Sequence, residues 1–393
     1  MKILFSNCVA STKTFNDLFG RLKTKPETSI QNYFQLLYRG LKDSEAEIYT
    51  FCERQIANSE KGLFLSGRKD EDECGKYYYV PKLLIPGLGQ LFSLIVNFFL
   101  AIRLLFQFRP DYVICDVMRF YISFPTRMVA RMFRKPVIGY VADIPQMYHH
   151  QTVENSSLKL RMIKSVYSWA TSKYDAYILL SPFMNEKVNP NNKPFIIIEG
   201  LVANMAMKEP IKKANHNKTI FMYAGGLYEK YGVKMLIDAV LSADDSVELW
   251  LFGKGDQEEY LKDVHCDRIS FWGYQPRDYV VARQKEADFL INPRPSHEEF
   301  TKYSFPSKIM EYMLSGTPVV STRIKSIPQE YFDYIIPINN ESVTGILDTI
   351  VYCSNMSVDE KSKLGQKSSR FVSYNKNSSK QGKRLFDWLK NFA

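Results

Sequence analysis

Short runs of Ile, Val, Phe and Tyr alternate with longer amphipathic stretches along this chain, and that rhythm restricts the fold more than any other feature. Residues 2–5, 46–51, 111–115, 136–141, 176–180 and 195–198 read as buried strands. Between several of them, residues 29–41, 88–106 and 123–133 have helical character. Apolar strands separated by helix-length segments predict a parallel sheet covered on both faces. The rhythm stops at residues 208–218, a polar, basic stretch interrupted by Pro210. It then restarts, with strands at 220–224, 248–252, 269–272, 288–291 and 318–321 and helices such as 233–241 and 307–314. At 393 residues the chain is too long for one ordinary core. The prediction is an α/β chain of two doubly wound halves, residues 1–206 and 219–377, joined by a linker at 207–218. A polar–apolar helix at 378–393 is expected to pack back toward the first half. Such folds bind ligands outside the carboxyl ends of their strands, so the expected site is a crevice between the halves.

Composition removes several classes. Hydrophobic residues at 45% and charged residues at 24% fit a globular protein, not a disordered one. The six cysteines show no CxxC and no pairing pattern, which reads as reduced thiols. The first apolar run is too short for a signal peptide and reads as a strand. A cytoplasmic chain follows as the expectation. The net charge of +10 asks for an anionic partner. No aromatic–basic motif of nucleic-acid binders is present, so a nucleic-acid partner is not expected.

The richest stretch is Asn292-Pro-Arg-Pro-Ser followed by residues 302–320, Lys-Tyr-Ser-Phe-Pro-Ser-Lys-Ile-Met-Glu-Tyr-Met-Leu-Ser-Gly-Thr-Pro-Val-Val. Ser304 reads as an N-cap, Pro306 as a first-turn residue and Gly316 as the stop. Ser307 and Lys308 then sit in the first turn. A helix N-terminus with one ammonium suits a diphosphate. Glu311 lies about a turn further on a neighbouring face, where a carboxylate can accept two hydrogen bonds from a ribose diol. An ordinary amphipathic helix packed on its sheet is the competing reading.

This segment resembles the donor-site signature of family 4 (group 1) retaining glycosyltransferases, and its Asn-Pro-Arg and Ser-Phe-Pro-Ser-Lys variants resemble the bacterial polysaccharide and capsule branch. The signature has two glutamates separated by seven residues, then Gly-x-Pro-Val. Glu311 matches the second, which the resemblance makes the ribose ligand. Tyr303 stands where the first is usual. Ser304, Phe305, Ser307 and Lys308 fall within the stretch that would line the donor and its phosphates. Residues 223–233 resemble the family's first strand, loop and helix of the C-terminal domain, with Gly225 and Gly226 admitting close backbone approach. The Arg and Lys usual there correspond to Gly226 and Tyr231, and Lys230 is the neighbouring substitute. Gly253 belongs to a Gly-x-Gly turn near the base, and Tyr274 ends the segment that edges it. In the first half, Ala142-Asp143 replaces a His-Asp pair, leaving Asp143 to touch sugar or acceptor. Glu199 holds an Asn-like position near the hinge.

The resemblance implies the GT-B fold, two Rossmann-like domains facing a crevice. It implies transfer of a sugar from a UDP- or GDP-sugar to a glycan or polyprenyl-linked glycan, with no cofactor required and no metal. Lys308, Lys230 and Asp143 are the expected catalytic groups. Asp70-Glu-Asp72 reads as a solvated loop, and His149-His150 lacks a third ligand at useful spacing. A sugar-nucleotide epimerase on the same fold is the alternative, and a basic nucleic-acid binder a more distant one. Residues 88–106 are apolar on most faces. About 19 residues reach roughly 28 Å as a helix, near the ~30 Å of a bilayer core. A buried helix and a helix lying in a leaflet are the main readings. Arg127, Arg131, Arg134 and Lys135 would face anionic lipid in the second.

Overall fold

The computed structural model describes residues 1–20, 29–53, 63–144, 158–204 and 218–392. The expected linker, apart from Lys218, and His149-His150 lie outside the described residues. The chain divides into two compact units, Met1–Leu201 with Ser378–Ala393, and Val202–Asn377.

The first unit contains strands β1 (Lys2–Asn7), β2 (Glu47–Cys52), β3 (Phe64–Leu65), β4 (Arg68–Asp72), β5 (Gly75–Tyr79), β6 (Lys82–Leu83), β7 (Tyr112–Asp116), β8 (Val137–Val141), β9 (Ala176–Leu179) and β10 (Phe195–Ile197). Eight form one sheet in the order β10-β9-β8-β7-β1-β2-β5-β4. Its pairs are parallel except for β4 on β5. Every residue of β7, β8 and β9 is buried, which is why their sequences are continuously apolar. β4, reading Arg-Lys-Asp-Glu-Asp, corrects the expected loop. Its charges suit an edge strand, where they discourage pairing with another chain. They also fasten the helix Thr12–Phe19. Asp70 accepts from the Ser11 hydroxyl and from Thr14 Oγ1 (2.8 Å), and Asp72 from the Thr12 N–H (2.9 Å).

The helix Leu88–Phe108 is turned inside out for a core element. Ser93, Asn97, Ala101, Leu104 and Leu105 face inward, and Asn97 Nδ2 donates to the Tyr121 carbonyl at 2.9 Å. Leu88, Leu91, Ile95, Phe99 and Phe106 stand exposed. Only 22% of its most apolar window is buried, so a buried core helix is not what the structure shows. The helix Ser378–Phe392 lies against Ser29–Asp43, where Gly382 meets the backbone of Gly40, and Leu385 and Leu389 enter the first unit's core.

The second unit contains β11 (Thr219–Ala224), β12 (Val247–Phe252), β13 (Ile269–Gly273), β14 (Phe289–Asn292), β15 (Val319–Thr322) and β16 (Ile336–Ile338). All are parallel, in the order β13-β12-β11-β14-β15-β16. The chain builds outward from β11 on one side, then returns to build outward from β14 on the other. The ends of β11 and β14 therefore form a topological switch point, where loops part and a ligand is admitted.

Candidate functional site

At the end of β11 the chain turns sharply and is tied to its neighbours. The Gly225 N–H donates to the Phe252 carbonyl (2.9 Å), and the Gly253 N–H to that of Gly273 (2.9 Å). Gly253 has φ +134°, and a Cβ there would lie 1.8 Å from the Gly225 oxygen. Gly253 thus serves loop-to-loop packing. The Tyr223 hydroxyl donates to the Gly226 carbonyl (2.7 Å). The Tyr312 hydroxyl accepts from the Ala224 N–H (2.8 Å) and donates to the Ala224 carbonyl (3.0 Å). Two tyrosines from a strand and a helix hold this turn rigid.

Lys308 reaches into the turn. Its Nζ lies 4.0 Å from the centre of the Tyr223 ring. A Cβ on Gly225 would lie 2.5 Å from that Nζ. The glycine therefore makes room for the ammonium, where the sequence suggested room for a ligand. Gly226 lies under the Tyr228 ring, 2.7 Å from where its Cβ would be. Some Lys308 surface reaches solvent, but its surroundings are dense. Burial holds the ammonium well below the usual lysine range, the Arg294 charge pushes the same way, and Glu311 opposes both.

The helix carrying Lys308 spans Lys308–Ser315, with Ser307 at its N-cap and Gly316 (φ +80°) at its end. This corrects Ser304 as the cap. The Ser304 carbonyl accepts from Ser326 Oγ (3.0 Å), and Phe305 packs in the core with its ring 5.7 Å from that of Tyr331. Phe305 anchors residues 304–306 ahead of the helix, so its side chain is structural. Ser307 is exposed and Tyr303 is buried. Glu311 Oε2 accepts from Arg277 Nη2 and Oε1 from Gln284 Nε2, both at 2.8 Å. That carboxylate is aimed by two partners from the helix Arg277–Glu286, residues that sequence reasoning missed.

The other candidates lie around this turn or elsewhere. Lys230 sits in a short 3-10 turn, 5.6 Å from the rings of Tyr228 and Tyr231. Tyr274 is half-exposed just past β13, with Lys254 5.6 Å from its ring. Asp143 belongs to the first unit, exposed two residues beyond β8. Arg294 is the largest omission. It follows β14 by two residues, is 8% exposed, and stacks 4.5 Å from the Tyr231 ring and 5.5 Å from Phe300. The sequence marked it within Asn292-Pro-Arg-Pro-Ser, a variant that resembles the polysaccharide branch, but assigned it no role.

Residues 218–353 match the family model described as glycosyl transferases group 1. The amylovoran biosynthesis glycosyltransferase AmsK of Erwinia amylovora is 26% identical over 127 residues, 30% of this chain and 31% of that protein. The match thus spans about a third of that relative's length. Sucrose-phosphate synthase from Thermosynechococcus elongatus superposes with a TM-score of 0.69 at 12% identity, covering 100% of this chain and 99% of that one. The apo form of lipopolysaccharide outer core galactosyltransferase WaaB gives 0.64 at 16%, with 100% of both chains covered. Anabaena Alr3699/HepE in complex with UDP and glucose gives 0.60 at 13%, with 99% of each covered. At these identities the likeness shows the fold, which is GT-B.

Proposed function

We propose that this chain, whose residues 218–353 form a group 1 glycosyl transferase domain, moves a sugar from a nucleotide-sugar donor to a glycan or lipid-linked glycan with retention of configuration. The setting we assign is bacterial cell-surface polysaccharide synthesis, and the likeness to an amylovoran biosynthesis glycosyltransferase supports it. One observation carries the reading: the Lys308 ammonium is held at the β11–β14 switch point by a helix start, with the aimed carboxylate of Glu311 within the first turn. That pairing suits a diphosphate followed by a ribose. A UDP-sugar is the first donor to test, because the similar HepE structures hold UDP with glucose and UDP-glucose.

The chemistry asks for charge stabilisation more than proton removal. The bond between the sugar C1 and the diphosphate oxygen breaks, and its electron pair stays with the phosphate. The acceptor oxygen bonds to C1 on the same face, and its proton passes to the departing oxygen. Lys308 and the first-turn amides stabilise that oxygen as charge builds on it. Lys230 adds positive charge from the neighbouring turn, and Asp143 is assigned to the sugar or acceptor. These groups stand in for a metal ion. Incubation with radiolabelled nucleotide sugars, with and without a glycan acceptor, tests the reading. Nucleotide release that requires the acceptor is expected. C2 inversion without acceptor would establish the epimerase instead.

The acceptor side we assign to an anionic membrane surface on the inner face of the cell membrane. The exposed apolar face of Leu88–Phe108 supports this, and Met128 and Met132 of the adjoining helix Phe120–Met132 are exposed too. Met162, Val166 and Trp169 add a further exposed face on Leu158–Thr171. Arg103, Arg109, Arg134 and Lys135 retain accessible surface to meet lipid phosphates. The basic cluster is smaller than expected. Arg127 is buried, donates to the Ala170 carbonyl and lies over Phe124, Trp169 and Tyr174. Arg131 faces Asp175 at 3.6 Å. Cosedimentation with phosphatidylglycerol vesicles should fall on Leu91→Asn with Phe99→Asn; unchanged cosedimentation would remove the membrane from the reading.

A further inference from the structure

We propose that Arg294 is a phosphate ligand of the donor site, forming with Lys308 a two-cation cradle for the diphosphate at the β11–β14 switch point. This rests on the nucleotide-sugar reading and adds a residue to it.

Three observations carry the assignment. Arg294 is buried, and its Nε and Nη1 have no hydrogen-bond partner among the described residues. No carboxylate of the described residues lies within ion-pair distance of it. Stacking on Tyr231 and Phe300 returns only part of the hydration that a guanidinium gives up on burial. A buried arginine with idle donors asks for an anion, and its planar fork matches phosphate oxygens.

The side chain is also held in place in advance. Pro293 and Pro295 restrict the backbone on either side. The Arg294 carbonyl accepts from the Thr322 hydroxyl, and Asn292 Nδ2 donates to Ser321 Oγ at 3.0 Å. Gly232, at φ +77°, lets the first loop close on this one: a Cβ there would lie 2.1 Å from the Pro293 carbonyl oxygen. The loop after β14 is thereby locked to the loop after β11. Arg294 thus brings its charge from β14 to the ring of Tyr231.

The second cation is close enough to be felt, since the Arg294 charge helps push the Lys308 ammonium down. Two like charges in one dense pocket oppose each other until an anion of more than one charge arrives. That disfavours a carboxylate, and a diphosphate offers one phosphoryl group to each cation where a monophosphate offers one in all.

The full-length protein is first screened by calorimetry with UDP, GDP, ADP and dTDP, and the tightest binder is carried forward with its monophosphate. R294Q should weaken the diphosphate by about 10- to 100-fold and the monophosphate less. R294K should recover part of the loss. Without ligand, R294Q should melt at or above the wild-type temperature, because it removes an uncompensated buried charge. The stabilisation given by the diphosphate should shrink. Unchanged diphosphate affinity in R294Q overturns this proposal alone. So does a lower melting temperature with both nucleotides weakened alike, which marks a structural brace. A wild type that binds none of the four nucleotides overturns the nucleotide reading, and this proposal with it.

Discussion

The end of β7 in the first unit and the end of β14 in the second both bury charge, and they do it in opposite ways. Asp116 closes β7 at 3% exposure, with Arg119 Nε 4.0 Å from one oxygen and the Met118 N–H 3.0 Å from the other. Opposite charges meet there, but burial still outweighs the pairing, and Arg119 Nε has no hydrogen-bond partner among the described residues. Beyond β14, Arg294 and Lys308 have the same sign, while Glu311 is engaged by Arg277 and Gln284. Desolvation penalises charge in both places. At β7 an opposite charge offsets part of it, whereas beyond β14 the like charge of Arg294 adds to it at Lys308. On the proposed reading, the first is a partly offset charge and the second a site whose missing negative charge a ligand would supply.

The sharpest way to break that contrast is at Lys308. Lys308→Ala should lower kcat about 100- to 1,000-fold, some 3–4 kcal/mol in the barrier, by analogy with loss of an oxyanion donor. The melting temperature should hold or rise. Proton uptake gives a second readout. Burial, aided by Arg294, lowers the ammonium's pKa, and a bound diphosphate favours the charged form. Wherever the free lysine is neutral, nucleotide binding should therefore take up a proton, and affinity should weaken as pH rises. Calorimetry in buffers of different ionisation enthalpy measures this. Equal proton uptake by wild type and Lys308→Ala would assign it to another group.

The converse test is Asp116. Burial pushes its carboxyl up to about 6, with Arg119 and the Met118 amide opposing and Asp143 adding to the rise. The folded chain then holds more protons than the unfolded one between about pH 4 and pH 6. Stability should fall as pH rises through that window and level off above it. Asp116→Asn resembles the protonated form, so it should stabilise by on the order of 2–3 kcal/mol near pH 7.5 and by little below pH 4. Thermal melts at both pH values decide. A destabilised Asn variant at pH 7.5 would show that the Arg119 pairing outweighs desolvation.

Glu311→Ala should weaken nucleotide binding about 10-fold, some 1.4 kcal/mol, because it removes a charged hydrogen-bond acceptor and releases Arg277 and Gln284. If calorimetry finds Glu311→Ala and Lys308→Ala both binding normally, the donor site lies elsewhere.

How far these residues could be read in advance depended on the range of the cause. β7, β8 and β9 were legible because burial on both faces writes itself into consecutive residues. β4 and β5 were not, since an edge strand carries charge that resembles a loop. The Lys308 helix was legible in type but not in start. Ser304 and Ser307 both suit a cap, and the choice falls to Phe305, whose core partner Tyr331 is remote in sequence. Arg294 was visible within the Asn292-Pro-Arg-Pro-Ser stretch, but its role was not. Its burial depends on Tyr231 and Phe300, which the fold supplies. Leu88–Phe108 gave its hydropathy away but not its orientation, which Asn97 sets by donating to Tyr121.

Asp70 is the smallest of these tests and bounds the comparison from the other side. Burial raises its pKa, but hydrogen bonds from Ser11, Thr14 and the Glu71 amide prevail and hold it below the ordinary carboxylate range. The group is only partly buried, so its contribution is that of a helix-start anchor, about 1 kcal/mol. Asp70→Ala should lower the melting temperature slightly at neutral pH, with the difference fading as pH falls through the folded pKa and the native carboxylate becomes protonated. Nucleotide affinity should stay at the wild-type value. Asp70 clamps Thr12–Phe19 within the first unit, whereas Lys308, Arg294 and Glu311 belong to the second. A loss of nucleotide binding in Asp70→Ala would mean that the acidic run 70–73 takes part in donor recognition, and the separation between stabilising and binding charges would fail there first.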